Sequence, residues 1–231
     1  CKEENRGNPD RIGFFDFIRQ LIDESYKGIR LTSGGKQFSV FTVHSYENTL
    51  SKLIEYQQSI AERIDFEIID TDFYNSWVNW LYKRKAAKNT VGKHIKNLKV
   101  FMNAAFDRGL TKNTAFRDKK FKVLKEQNDT IYLSDEELDR MLGLDLSNEP
   151  MLERVRDYYL LDCYIGLRIA DYRNLKKDHL IEIKGKKAIK IKLQKTGNTV
   201  VIPLRKNALM LLEKYGYQMK PLSNQLINNQ I

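Results

Sequence analysis

Apolar residues recur at helical spacing through the first half of the chain, and the period switches to two only near residue 180. Phe14, Phe15, Phe17, Ile18, Leu21 and Ile22 mark one face of a first helix. The Gly-, Ser- and Thr-rich stretch from Lys27 to Phe41 predicts a loop, and the polar residues 1–11 predict disorder. A second helix is expected from about Thr42, with Tyr46, Leu50, Leu53, Ile54 and Gln57 along one side. A third spans Ile68 to Tyr82, anchored by Phe73, Trp77, Trp80 and Leu81. The fourth has the cleanest pattern. Val91, Ile95, Leu98, Met102 and Ala105 form its apolar stripe, Asn89 or Thr90 offers an N-cap, and Gly109 offers a stop.

Arg117 to Thr130 has no apolar period and predicts an extended, basic linker. A new unit begins at Leu133, where Ser134 and Glu137 have capping-box spacing. Helices are expected from Arg154 to Gly166 and from about Arg168 to Leu175. Beyond Asp178, Ile189, Ile191 and Leu193 alternate with Lys190, Lys192 and Gln194, while Gly185 and Gly197-Asn198 mark turns. The segments Leu180–Ile183, Ala188–Gln194 and Thr199–Ile202 therefore predict a three-stranded antiparallel sheet, followed by a helix from about Lys206 to Tyr215. The fold class is mainly α with a small antiparallel sheet. The expected division is a helical domain over 12–116, the linker over 117–130 and a second, α+β domain over 131–231.

Charge adds a partner to this outline. The chain carries a net charge of +10, and the surplus is concentrated. Residues 81–130 hold 14 Lys and Arg against 4 Asp and Glu, and residues 173–206 hold 11 against 2. Two basic islands on a mildly acidic background suggest one polyanion touched at two places. Lys93 and Lys96 lie opposite the apolar stripe of the fourth helix, Lys99 flanks them, and Lys83, Arg84, Lys85 and Lys88 lead in. Taken alone, that helix reads equally well as a solvated Lys-rich face. Two cysteines allow no disulfide framework. Cys163 reads as core, and His44, His94 and His179 are too scattered for a metal motif. No apolar run approaches the length of a membrane span, and the setting suggested is a reducing cytosol.

The candidate chemistry sits in Tyr164-Ile165-Gly166-Leu167-Arg168-Ile169-Ala170-Asp171. An Arg between apolar neighbours is costly to desolvate without an anionic partner, so Arg168 is expected to have one. The bland alternative is a structural ion pair with Asp171. Lys195 falls at the tip of the hairpin Gln194-Lys195-Thr196-Gly197-Asn198, where a flexible lysine can reach into a groove and donate a proton. Its own bland alternative is an ordinary turn lysine.

These residues resemble the tyrosine recombinase, or phage integrase, family, especially integrases of conjugative transposons. The resemblance rests on Gly166-Leu167-Arg168-Ile169-Ala170-Asp171, Leu175, and the hairpin leading to Val201-Ile202-Pro203-Leu204, with Tyr164-Ile165 in place of the usual Thr. Thr42-Val43-x-x-Tyr46 and Asn89-Thr90-Val91-x-x-His94-Ile95-x-x-Leu98 resemble the family's SAM-like core-binding domain, so the likeness covers about residues 12–230. It implies a core-binding domain followed by the front part of a catalytic domain. Arg168 would contact the scissile phosphate, Lys195 would be the general acid for the leaving 5′ oxygen, and Asp171 would hold Arg168. DNA would be cleaved through a 3′-phosphotyrosine and rejoined, without metal or nucleotide cofactor. Backbone contacts are expected from Lys83, Arg84, Lys85, Lys88, Lys93, Lys96, Lys99, Lys119, Lys120 and Lys122.

The family also needs a His-x-x-Arg box and a nucleophilic Tyr. No His here has an Arg three residues on, and Tyr215 and Tyr217 lie too close to the hairpin to be the nucleophile. The sequence therefore reads as part of a recombinase, inactive alone, whose full form would act on duplex DNA in the cytoplasm, at the nucleoid, as a tetramer. A non-catalytic DNA-binding or regulatory protein on the same scaffold is the main alternative, and an RNA-binding basic protein the weaker one.

Overall fold

In the computed structural model, residues 12–127, 131–217 and 222–230 are described. Residues 1–11 and Asn128–Thr130, the latter part of the expected linker, lie outside them. The chain divides into two units, residues 1–129 and 130–231.

The first unit is helical: α1 (Phe14–Tyr26), α2 (Val40–Gln57), α3 (Thr71–Lys83) and α4 (Lys88–Asp107), with 3-10 turns at Phe66–Ile68 and Ala115–Arg117. Helix α2 starts two residues earlier than expected because Ser39 caps it, its hydroxyl accepting from the Thr42 amide. Asp70 caps α3 in the same way, accepting from the amides of Asp72 and Phe73. Helix α4 starts at Lys88 without a side-chain cap, so neither Asn89 nor Thr90 plays that part. Gly109, in the left-handed region at φ +71°, lets the chain turn off α4 as the sequence suggests. The core gathers Phe14, Phe17, Leu21, Leu53, Phe66, Trp77, Leu98 and Phe101, with aromatic rings meeting edge to face at Phe14–Phe66 and Tyr46–Phe101.

A polar ladder joins α2 to α4 inside this core. The Thr49 hydroxyl lies 2.9 Å from His94 Nδ1, and the Asn97 amide donates to the Ser45 carbonyl and to Thr49 Oγ1, each at 2.9 Å. Burial, reinforced by Lys52 and Lys93, pushes the His94 imidazole below its usual range, so it is neutral at pH 7. The ladder fixes the register between two helices that apolar contacts alone would let slide.

The stretch after Arg117, expected as extended linker, is held against the helical unit as far as Glu126. Phe116 and Phe121 are fully buried, and Leu124 packs on the core. Isolated apolar residues rather than a periodic stripe make this contact, so a search for periodicity passes over it.

The second unit contains α5 (Asp135–Leu142), α6 (Pro150–Ile165), α7 (Ile169–Tyr172), a 3-10 turn at Lys177–His179, strands β1 (Leu180–Ile183), β2 (Lys186–Lys192) and β3 (Thr199–Pro203), then α8 (Lys206–Lys214) and α9 (Asn224–Gln230). The Ser134–Glu137 capping box forms as the sequence predicts. Pro150 at the first helical positions starts α6 four residues before the expected Arg154. The helix expected from Arg168 to Leu175 is a single turn, α7. The sheet is antiparallel in the order β1-β2-β3, with Ile189 opposite Leu180 on one side and Ile202 on the other. Ile189 and Ile191 face a core of Val155, Leu160, Leu161, Tyr172, Leu211 and Leu212. Cys163 is exposed rather than in that core, because the buried side of α6 runs through Tyr158, Leu161 and Ile165.

Candidate functional site

Helix α6 ends at Gly166, whose φ of +66° is strained for any residue with a Cβ. That reversal drives Leu167 into the core and turns Arg168 outward. Arg168 is the extended N-cap residue of α7, and its backbone carbonyl accepts from the amides of Asp171 and Tyr172. Its guanidinium is exposed and has no protein partner among the described residues. The expectation of an Arg desolvated between apolar neighbours and held by Asp171 is thus corrected: Leu167 is buried, Ile169 is half-buried, and the Arg is exposed.

Asp171 does something else. It is 1% exposed, and its Oδ1 accepts from the backbone amide of Gln194 at 2.6 Å. Gln194 immediately precedes Lys195. The carboxylate therefore ties the turn that begins at Arg168 to the hairpin that carries Lys195. Its Oδ2 is buried without a hydrogen-bond partner among the described residues. The hairpin is closed by the Leu193 amide donating to the Asn198 carbonyl and the Gly197 amide donating to the Leu193 carbonyl, both at 2.8 Å. Lys195 is exposed and unpaired among the described residues. Two free cations thus stand on elements linked through one buried carboxylate, an arrangement suited to an anion with two points of charge.

A second cluster in this unit has a structural part. Asp157, 0% exposed, accepts from Arg156 Nε at 2.9 Å, Lys214 Nζ at 2.6 Å and the Tyr215 hydroxyl at 2.8 Å. Burial pushes its carboxyl up, but these hydrogen bonds outweigh burial and hold it below the usual carboxylate range. Burial and the bond to Asp157 push the Tyr215 hydroxyl up to about 12. Tyr215 thereby helps to hold this cluster together as a hydrogen-bond donor.

In the first unit, Lys83, Arg84, Lys85 and Lys88 are all exposed at the α3–α4 corner. The guanidinium carbon of Arg84 sits over Trp80, 3.6 Å from the ring centroid. Lys93 and Lys96 are exposed on α4, and Lys119, Lys120 and Lys122 on the segment packed beside it. Lys99 departs from its expected place. It is half-buried and donates to the Phe121 carbonyl at 2.7 Å, and burial pushes its ammonium below the usual range. It serves packing, which its position beside rather than opposite the apolar stripe foreshadows.

Comparison with known proteins assigns this architecture. A family model described as the phage integrase SAM-like domain matches residues 13–123. A lambda integrase structure, a tetramer bound to a Holliday junction, is similar over 96% of this chain and 62% of that one, with a TM-score of 0.64 and 14% identity. The Tn1549 transposon integrase in complex with transposon right end DNA matches over 92% and 67%, with a TM-score of 0.68 and 12% identity. The XerH site-specific recombinase bound to palindromic difH substrate matches over 93% and 70%, at 0.56 and 16%. No curated protein matches the chain by sequence. The first unit matches the phage integrase SAM-like domain over residues 13–123, and the two units have the same fold as the corresponding parts of these integrase and recombinase structures. The chain spans about 62% of the length of that lambda integrase chain.

Proposed function

We propose that the chain forms the DNA-gripping unit and the front of the catalytic unit of a tyrosine-type site-specific recombinase that integrates or excises a mobile element. The observation that carries this reading is the Asp171–Gln194 hydrogen bond, which couples two exposed, unpaired cations, Arg168 and Lys195. In the reaction, a Tyr oxygen bonds to the scissile phosphorus as the bond from phosphorus to the 5′ oxygen breaks. Arg168 neutralises the charge growing on the non-bridging oxygens. Lys195 delivers its proton to the departing 5′ oxygen. Asp171 positions the hairpin rather than the Arg. The covalent phosphotyrosine conserves the bond energy, so rejoining needs no nucleotide. The reaction also needs a nucleophilic Tyr and a second Arg, and neither part is assigned to a described residue. The lambda integrase structure, a tetramer on a Holliday junction, supports a tetrameric assembly on DNA.

The test is a nicked suicide duplex mixed with the full-length gene product, which is expected to trap a covalent protein–DNA adduct. Binding without any adduct would favour a non-catalytic DNA-binding protein, and preference for RNA in competition at fixed salt would favour the RNA reading.

The first unit contributes phosphate contacts. Changing Lys93 and Lys96 together to Ala is expected to weaken duplex binding regardless of sequence and to reduce the slope of log K against log salt by about 2. A slope equal to that of the wild type would remove this face of α4 from the interface.

A further inference from the structure

Helix α4 contains a glycine in its second turn that the helix itself does not want. Gly in a helix interior is destabilising by about 0.5–1 kcal/mol relative to Ala. Gly92 is buried, and a Cβ there would lie 1.8 Å from the Leu124 carbonyl oxygen. The backbone of the segment after Arg117 thus passes directly over α4 at a point where only a hydrogen can be accommodated.

The same segment is fastened on both sides of that crossing. Phe121 is fully buried, with its ring 4.8 Å from that of Tyr74. Lys99 donates to the Phe121 carbonyl at 2.7 Å, and the Tyr74 hydroxyl donates to the Lys122 carbonyl at 2.9 Å. Beyond the crossing, Asn89 clasps Glu126 twice. Its Oδ1 accepts from the Glu126 amide at 2.9 Å, and its Nδ2 donates to the Glu126 carbonyl at 3.3 Å. That explains why Asn89, one residue into α4, does not act as its cap.

The fastening changes how far the chain can reach. Phe116 is buried in the first unit, and Ser134 caps α5 in the second. Counted from Phe116, a fully extended chain to Ser134 could span about 60 Å. Counted from Glu126, the same bound falls to about 27 Å.

We infer that Phe121–Glu126 is a latch, seated on Gly92 and Asn89, that shortens the free connection between the two units and so sets how tightly both can hold one duplex. This rests on the DNA reading above. Gly92 and Asn89 are positioning residues that touch no phosphate in this role. When one unit is bound, the other searches a volume set by connection length, and its effective concentration falls as about the −3/2 power of that length. Releasing the latch takes the connection from 8 residues to 18 and is expected to weaken two-unit binding about threefold.

The experiment uses the full chain with Gly92→Ala and Asn89→Ala. Gly92→Ala favours the helix while expelling the segment, and Asn89→Ala alters only an exposed side chain, so at least one variant keeps the first unit folded. Two quantities are read: the rate of tryptic cleavage after Lys122 and Lys125, and duplex affinity at fixed salt. Both variants are expected to be cleaved faster, Gly92→Ala by tenfold or more, and to bind duplex more weakly, Gly92→Ala by about threefold and Asn89→Ala, which frees only the Glu126 end, by less. Inserting ten Gly and Ser residues after Gln127 should reproduce the affinity loss without faster cleavage at Lys122, and in Gly92→Ala the insertion should cost only about twofold more. Unchanged cleavage in both variants overturns the latch. Faster cleavage with unchanged affinity overturns its part in DNA binding. If the wild type itself fails to bind duplex, the DNA reading fails instead, and the cleavage rates still report whether the latch exists.

Discussion

On the recombinase reading proposed above, Arg168→Ala is expected to slow strand cleavage by about a hundred- to a thousand-fold, the usual cost of deleting a preorganised donor at a developing oxyanion. Duplex affinity should change far less, because many other phosphate contacts remain. Folding should not change, since the guanidinium is exposed and pairs with no side chain among the described residues. Arg168→Lys keeps the charge but loses the planar fork, and an intermediate rate is expected. The measurement is single-turnover adduct formation on a nicked duplex, alongside a binding titration. Cleavage at the wild-type rate in Arg168→Ala would falsify the assignment. Lys195→Ala should be slow on ordinary DNA and partly recover on a duplex with a 5′-bridging sulfur, a leaving atom that needs no proton. Equal losses on both substrates would leave Lys195 with binding alone.

The largest effect on stability is expected from Asp157→Ala. The carboxylate is 0% exposed and satisfies Arg156, Lys214 and Tyr215 together. Arg156 is itself buried, and removing Asp157 takes away its two shortest carboxylate bonds and leaves it the Leu144 carbonyl and Glu153 at 3.6 Å. Breaking a buried pair this way costs about 3–5 kcal/mol. For a unit of this size that lowers the melting temperature by about 20 °C. Circular dichroism melting of the whole chain should show the second unit's transition moving down while that of the helical unit stays. The pH dependence has a definite sign. Because the folded carboxyl lies below its usual range, its contribution is complete above the unfolded value of about 4 and is lost as pH falls through the folded value. Acid should therefore narrow the gap between wild type and variant. A variant that melts with the wild type at neutral pH would show that the second unit does not depend on this cluster.

What the sequence reveals and what it hides divide along the range of the interactions. The Ser134–Glu137 capping box is local, and it forms as written. The stripe Val91–Ile95–Leu98–Met102–Ala105 is buried throughout, because one helix meeting one core needs only its own period. The alternation around Ile189 and Ile191 likewise yields the sheet. The latch is hidden because Phe121 and Leu124 attach singly, at no repeating interval. Yet Gly92 inside an otherwise regular helix was a readable sign of close backbone approach. Asp171 follows Arg168 by three residues, which suggested a local pair. Its real partner is 23 residues away, and that contact depends on the sheet being assembled. Cys163 misled because α6 carries apolar residues on several sides, so hydrophobicity alone does not select the buried one.

The stacking of Arg84 on Trp80 gives the protein a built-in optical probe. Both tryptophans of the chain, Trp77 and Trp80, lie in the first unit, and a guanidinium rests 3.6 Å above the second. A phosphate that draws Arg84 away lifts a positive charge off the indole face and alters its emission. Unlabelled protein would then signal the arrival of DNA at the helical unit, while engagement of the Arg168 side, which has no indole of its own, would stay dark.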